Sequence, residues 1–198
     1  MSTLTERILN DAQGLPEGAP LTAKTLLHLG SRAAIDQALS RLVRRGRLLR
    51  AGRGLYVRPV EARYGQRAPS ADKVVEAIAR ARGESIASSG AAAANALGLS
   101  VQVPMRAIYL TSGPSRQLRL GAQVVELKHA PHWQFVLANQ PAGEAIRALG
   151  WAGPERADEA LQVIKRRLSA PELKALVAAR AQLPSWMAER ISELATDG

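Results

Sequence analysis

Residues 31–58 read SRAAIDQALSRLVRRGRLLRAGRGLYVR. Ile35, Leu39, Leu42 and Val43 fall at i, i+4, i+7 and i+8, which is one apolar stripe of an α-helix. At 100° per residue the opposite face carries Ala33, Gln37, Ser40, Arg41 and Arg44, small and polar toward the N-terminal end and basic beyond it. Ser31 is placed to cap this helix, and Gly46 to end it. Leu48-Leu49-Arg50 and Leu55-Tyr56-Val57-Arg58 then flank the Gly-rich tip Ala51-Gly52-Arg53-Gly54, the pattern of a short hairpin that presents Arg53.

Upstream, Thr3-Leu4-Thr5-Glu6 has the Ser/Thr-x-x-Glu form of a capping box, and a first helix should run to about Asp11. Gly14, Pro16, Gly18 and Pro20 end it; Thr22 caps a short helix through Leu29, and Gly30 offers a left-handed stop. Two helices meeting at so tight a Gly-containing turn have the layout of a helix-turn-helix. Helix, helix, third helix and basic hairpin together predict a winged helix-turn-helix.

The charge pattern matches this layout. The 198 residues carry 27 basic and 17 acidic side chains, net +10, and residues 1–67 hold 12 and 5 of these, net +7. Residues 41–67 contain nine arginines, no lysine and the single acid Glu61. Arginine is the planar donor suited to phosphate and to guanine edges, so duplex DNA is the expected partner. Ser31, Arg32 and Gln37 are the candidates to reach bases or nearby phosphates. Arg41, Arg44, Arg45, Arg50 and Arg53 are the candidates to hold the phosphate backbone. The bland alternative for Arg32 and Arg45 is a surface ion pair, with Asp36 or Glu61.

Arg63–Ser70 is polar and turn-rich and reads as a linker, which divides the chain into 1–62, 63–70 and 71–198. Beyond it, Ser70 caps a helix burying Val74, Val75 and Ile78, and Ser89 to Leu97 is an Ala-rich helix stopped at Gly98. Residues 106–111, 117–120 and 124–128 read as short, mainly antiparallel strands. After Pro141 the chain is helical: 144–149, 154–168, a helix opened by the capping box Ser169–Glu172, and a last one from Ser185 docked by Trp186, Ile191 and Leu194. The fold class is α+β.

Several function classes lose their support. The absence of cysteine excludes disulfides, thiolate catalysis and Cys-ligated metals. No apolar run approaches a bilayer span, and the opening residues lack a secretory pattern, so a cytoplasmic, nucleoid-associated address is expected and a membrane is not. His129 and His132 flank Pro131, which bars regular helical ligand spacing, and no cluster of further ligands is evident. There is no phosphate loop, nucleophile elbow or paired magnesium-binding carboxylate motif. Neither enzyme activity, a metal nor a cofactor is expected.

Leu21-Thr22-Ala23-Lys24 through Leu39–Leu48 and Arg53-Gly54-Leu55-Tyr56 resemble the N-terminal winged helix of AbiEi-type antitoxins of bacterial type IV toxin-antitoxin and abortive-infection systems. Asn95–Ser100, Val103-Pro104, Tyr109–Arg116 and Lys165–Leu168 resemble the C-terminal part of a short branch of that family, with 111–116, Thr-Ser-Gly-Pro-Ser-Arg, the most telling block. The resemblance implies an antitoxin that counteracts a nucleotidyltransferase-like toxin encoded beside it, directly or through the toxin's target. It also implies repression of its own operon at inverted promoter repeats. Ser115, Arg116 and Arg119 are then the candidate neutralisation surface. The alternative is a winged-helix transcription regulator whose C-terminal domain binds an effector or oligomerises.

Overall fold

Thr3 opens the first helix, α1 (Leu4–Gln13), with the expected reciprocal cap: the Thr3 N–H donates to Glu6 Oε2 at 2.8 Å and the Glu6 N–H to Thr3 Oγ1 at 3.4 Å. The computed structural model describes residues 2–102 and 106–196, the last three without their side chains. Val103-Pro104 and the Leu194 side chain lie outside the described residues. The chain forms two compact units, Met1–Glu84 with Arg116–Glu126, and Ser85–Ser115 with Leu127–Gly198.

In the first unit a 3₁₀ turn (Lys24–Leu29) follows α1, held by the Thr25 N–H on Thr22 Oγ1 at 3.2 Å. The stop after it differs from the expectation. Gly30 has φ 167°, extended rather than left-handed, because the chain runs straight into the Ser31 cap, whose Oγ accepts from the Ala34 N–H. Helix α2 (Arg32–Arg44) buries Ile35, Ala38, Leu39 and Leu42. It ends in a Schellman motif: Arg47 N–H to Leu42 O at 2.9 Å and Gly46 N–H to Val43 O at 2.9 Å, with Gly46 at φ +67°.

Strands β1 (Leu49–Gly52) and β2 (Leu55–Val57) pair antiparallel, Arg50 opposite Tyr56, with a bulge at Ala51. Leu21 joins them, exchanging two backbone hydrogen bonds with Tyr56 at 2.8 and 3.0 Å. One cluster of Ile8, Ala12, Leu21, Leu26, Ile35, Leu39, Leu42, Leu48 and Tyr56 unites these elements.

The stretch expected as a linker is itself structured. Strands β3 (Val60–Ala62) and β4 (Gly65–Arg67) form a second small hairpin. The first unit then continues into α3 (Ala71–Arg82), which buries Val74, Val75 and Ile78. Ser70 makes no side-chain cap there. Instead its N–H donates to Glu17 Oε1 at 3.1 Å, and Glu17 also takes Lys73 and Arg67. A hydrophobicity pattern shows the polar run 63–70 but not this distant carboxylate. The unit is completed by β7 (Arg116–Leu120) and residues 123–126.

In the second unit, β5 (Ile86–Ser88), which was not expected from the sequence, pairs antiparallel with β6 (Ala107–Thr111), Ala87 opposite Leu110. Strand β8 (Gln123–His129), whose last three residues belong to this unit, is the next neighbour of β6. Ser89 caps α4 (Gly90–Ala96), and the C-terminal part holds α5 (Pro141–Ala152), α6 (Ala157–Arg167), α7 (Ala170–Ala179) and α8 (Ser185–Thr196). The Ser169–Glu172 capping box of α7 is formed as expected.

Helix α5 is buried on nearly all sides, as Ala142, Gly143, Ala145, Ile146, Ala148 and Leu149 show. Its small residues let loops approach: a Cβ on Gly143 would sit 1.9 Å from the Leu137 carbonyl oxygen. Arg147, 2% exposed, reaches Ser88 Oγ and the Gln134 and Ala138 carbonyls at 3.3–3.4 Å. Its burial lowers the guanidinium pKa. Ile191 and Met187 are buried and Trp186 half-buried against this core.

Two outcomes follow for stability. Gly143→Ala drives a methyl into backbone and should cost about 3 kcal/mol or more in denaturant unfolding; a cost under about 1 kcal/mol would contradict the close approach. The Lys73 ammonium, followed by the Ser70 N–H, holds the Glu17 carboxyl down to about 2, from an ordinary 4.5. A depressed carboxylate stabilises the fold above 4.5, and that contribution is lost as pH falls toward 2. Glu17→Gln should therefore lower the Tm at pH 7, with the gap to wild type closing between about pH 4.5 and 2.

Candidate nucleic-acid interface

Because Ile35, Leu39 and Leu42 face the core of the first unit, the remaining face of α2 must meet solvent. Gln37, Ser40, Arg41 and Arg44 are exposed there and, with Asp36, line a shallow groove along the helix. Ala33 is exposed at its N-terminal end, and no acid occupies the first turn. That leaves the positive end of the helix dipole uncovered.

The one acid on this face, Asp36, is held by Arg32, whose Nε donates to Asp36 Oδ2 at 2.9 Å. Both side chains are at least half exposed, so the pair contributes little to stability. The ion-pair alternative thus holds for Arg32. For Glu61 the geometry is different, since it accepts from Gln66 Nε2 at 2.7 Å across the β3–β4 hairpin. Ser31 spends its oxygen on the cap, and its hydroxyl hydrogen can still donate outward. Arg45 is the exposed C-terminal cap of α2.

Arg50 stands exposed on β1, and the two-residue turn Arg53-Gly54 carries Arg53 at the end of the β1–β2 hairpin. The tip is shorter than expected, because Ala51 and Gly52 belong to the strand. Arg41, Arg44, Arg50 and Arg53 enter no ion pair among the described residues. Four guanidinium groups without counter-charges on one helix face and one hairpin suit an anionic ligand.

The candidate neutralisation residues have different local surroundings. Ser115 belongs to the second unit, where its Oγ accepts from the His129 N–H at 2.9 Å. Arg116 belongs to the first and is turned into Glu84, Nη1 to Oε1 at 3.1 Å, at 17% side-chain exposure. A guanidinium held bidentately by a carboxylate is not an open contact. Arg119 is exposed, and with Gln117 it lines a groove whose other wall is Arg50, Ala51, Gly52 and Arg53.

Sequence reasoning missed this neighbourhood. The alternation Gln117, Leu118, Arg119, Leu120 was the available signal for a basic outer face, but not for what lies beside it. Tyr64, 92% exposed under Arg63 at the tip of the β3–β4 hairpin, was also missed.

His28 Nε2 meets Asp11 Oδ2 at 2.9 Å, and His129 Nδ1 lies 3.0 Å from the Gly113 carbonyl, where it donates. Among the described residues no three His, Asp or Glu side chains gather as a metal-holding group, and no helix is long and apolar enough to cross a membrane.

If the α2 and hairpin arginines serve binding rather than the fold, Arg41→Ala, Arg44→Ala and Arg53→Ala together should leave stability within about 0.5 kcal/mol of wild type, or raise it by relieving repulsion. Thermal and urea melts of the triple variant decide this, and a large loss would make these side chains structural.

No curated protein and no solved structure matches the chain. The family of unknown function DUF6088 matches residues 7–174, and the chain belongs to it.

Proposed function

We propose that the first unit is a winged helix-turn-helix that binds duplex DNA. In this reading α2 lies in the major groove, with Gln37 toward base edges, suiting adenine, and Arg32 presenting to guanine the Nη groups that its Nε–Asp36 bond leaves over. Arg41, Arg44, Arg45 and Arg50 hold phosphates, and Arg53 does so from the β1–β2 wing. The observation that carries the reading is the exposed α2 face, whose arginines 41 and 44 lack counter-charges while its acid is neutralised in cis by Arg32. The Arg32–Asp36 pair limits the repulsion a carboxylate would otherwise offer to phosphate.

The resemblance to AbiEi-type antitoxins extends this reading. The chain is proposed as a non-enzymatic antitoxin that represses its own operon at inverted promoter repeats and counteracts a nucleotidyltransferase-like toxin. Repression then needs only occupancy of promoter DNA, and two heads on repeated half-sites raise that occupancy through effective concentration.

Binding of the duplex upstream of its own gene, followed by anisotropy across salt concentrations, tests the first step. With about five phosphate contacts the log-log slope should be near −4 to −5 per head. Arg41→Ala with Arg44→Ala should reduce that slope by about 2; an unchanged slope, or no binding by wild type, contradicts the assignment. Co-expression with the product of the adjacent gene tests the second step. Growth rescue should be given by the full chain and retained by the Arg41→Ala, Arg44→Ala variant, and absence of rescue by wild type removes the antitoxin reading.

A further inference from the structure

In the groove formed by β1 and β7 within the first unit, the β7 side has no role in the scheme above. Its lining is Arg50, Ala51, Gly52, Arg53, Gln117 and Arg119. Its composition is the first observation: three guanidinium groups and one amide, with no acid. The second is its origin, because β1 and β7 are separated by more than sixty residues of chain. Period-two alternation on β7 buries Leu118 and Leu120 and thereby turns Gln117 and Arg119 outward together. Leu118 reaches the backbone at Gly52, with its Cδ2 4.0 Å from where a Cβ there would stand, so the two strands are packed and not merely neighbours.

Arg119, like Arg50 and Arg53, has no ion-pair partner among the described residues. Like charges gathered without counter-ions repel one another in the free protein, and a polyanion reverses that cost. Between Arg50 and Arg53 the groove is lined by Ala51 and Gly52, too short in side chain to hold an extended ligand off the backbone.

We propose that this groove is a second phosphate-binding site, which carries the DNA sugar-phosphate backbone from the wing onto β7 through Arg119, with Gln117 as a neutral donor. The proposal rests on the DNA-binding reading of α2 and the wing. A nucleic acid is favoured over an acidic protein surface because Arg50 and Arg53 belong both to the wing and to this groove. A strand that follows the wing therefore reaches Arg119 without a second ligand. The residues 116–126, distant in sequence from the recognition helix, then act as part of the DNA-binding unit. Their contribution is to affinity and register, not to base choice.

The test uses the full-length protein and two probes, the duplex upstream of its own gene and a duplex of the same length and shuffled sequence. Arg119→Ala should weaken both by the same factor, about threefold to tenfold at low salt, and reduce the log-log salt slope by about 0.9. Arg119→Lys should restore most of the slope, and the Tm of both variants should equal that of wild type. Gln37→Ala should weaken only the upstream duplex. Hydroxyl-radical footprints should lose protection at the wing-distal edge in Arg119→Ala alone.

If Arg119→Ala binds both duplexes as wild type does while Arg41→Ala with Arg44→Ala does not, the groove is no DNA site and the α2 reading stands. If Arg119→Ala leaves DNA binding intact but removes growth rescue by the full chain, the groove serves a protein partner and the proposal is overturned. If wild type binds neither duplex, the DNA reading falls and the proposal with it.

Discussion

Burial of Ile35, Leu39 and Leu42 against α1, Leu26, Leu48 and Tyr56 orients α2, and the rest of the first unit depends on that orientation. Each of these side chains, truncated to alanine, is the kind of core loss that costs about 2–5 kcal/mol, far above anything the surface arginines contribute to stability. The core therefore decides which way the helix faces, and the charged residues accept the result. A helix turned by one position would put Arg41 or Arg44 toward apolar side chains, where an unpaired guanidinium is costly. The Schellman turn at Gly46 and the Leu21–Tyr56 bridge then set where the hairpin emerges, so Arg50 and Arg53 are placed by backbone geometry and not by their own contacts.

Charge is handled differently where it supports the fold. Glu17 gathers Lys73, Arg67 and the Ser70 N–H, bracing α3 and the β3–β4 hairpin to the loop after α1. Glu84 and Arg116 pair within the same unit at low exposure. Arg147 in the second unit is buried among carbonyls and one hydroxyl. These charged groups have defined partners, whereas Arg41, Arg44, Arg50, Arg53 and Arg119 stand in solvent without them. That contrast separates the arginines that support the fold from those proposed to meet a ligand, and no count of charges alone could supply it.

Local signals were legible from the residues themselves. Capping boxes at Thr3–Glu6 and Ser169–Glu172, the Ser31 cap, the stop at Gly46 and the apolar stripe of α2 depend on neighbours within about four positions, and the structure has them where the pattern places them. Less was legible where the decisive partner is remote. The polar run 63–70 reads as a linker because its turn residues are local, while the Glu17 carboxylate that organises it is some fifty positions away. Strand β5 is three residues long and embedded in an apolar stretch, where strand and helix cannot be told apart by period. Gly30 after Leu29 reads as a left-handed stop, but the immediate Ser31 cap requires extended backbone there.

The sequence by itself determined the α2 face: the same 3.6-residue period that selects Ile35, Leu39 and Leu42 for burial leaves Gln37, Arg41 and Arg44 outside. It also determined that positive charge concentrates in the first third of the chain. Only the tertiary structure decided that Arg119 stands beside Arg50 and Arg53 while Arg116, three residues away, is consumed by Glu84. The physical reason is that strand alternation specifies which side a residue faces, but strand neighbours are chosen by packing of the whole unit, a long-range term that no local window contains.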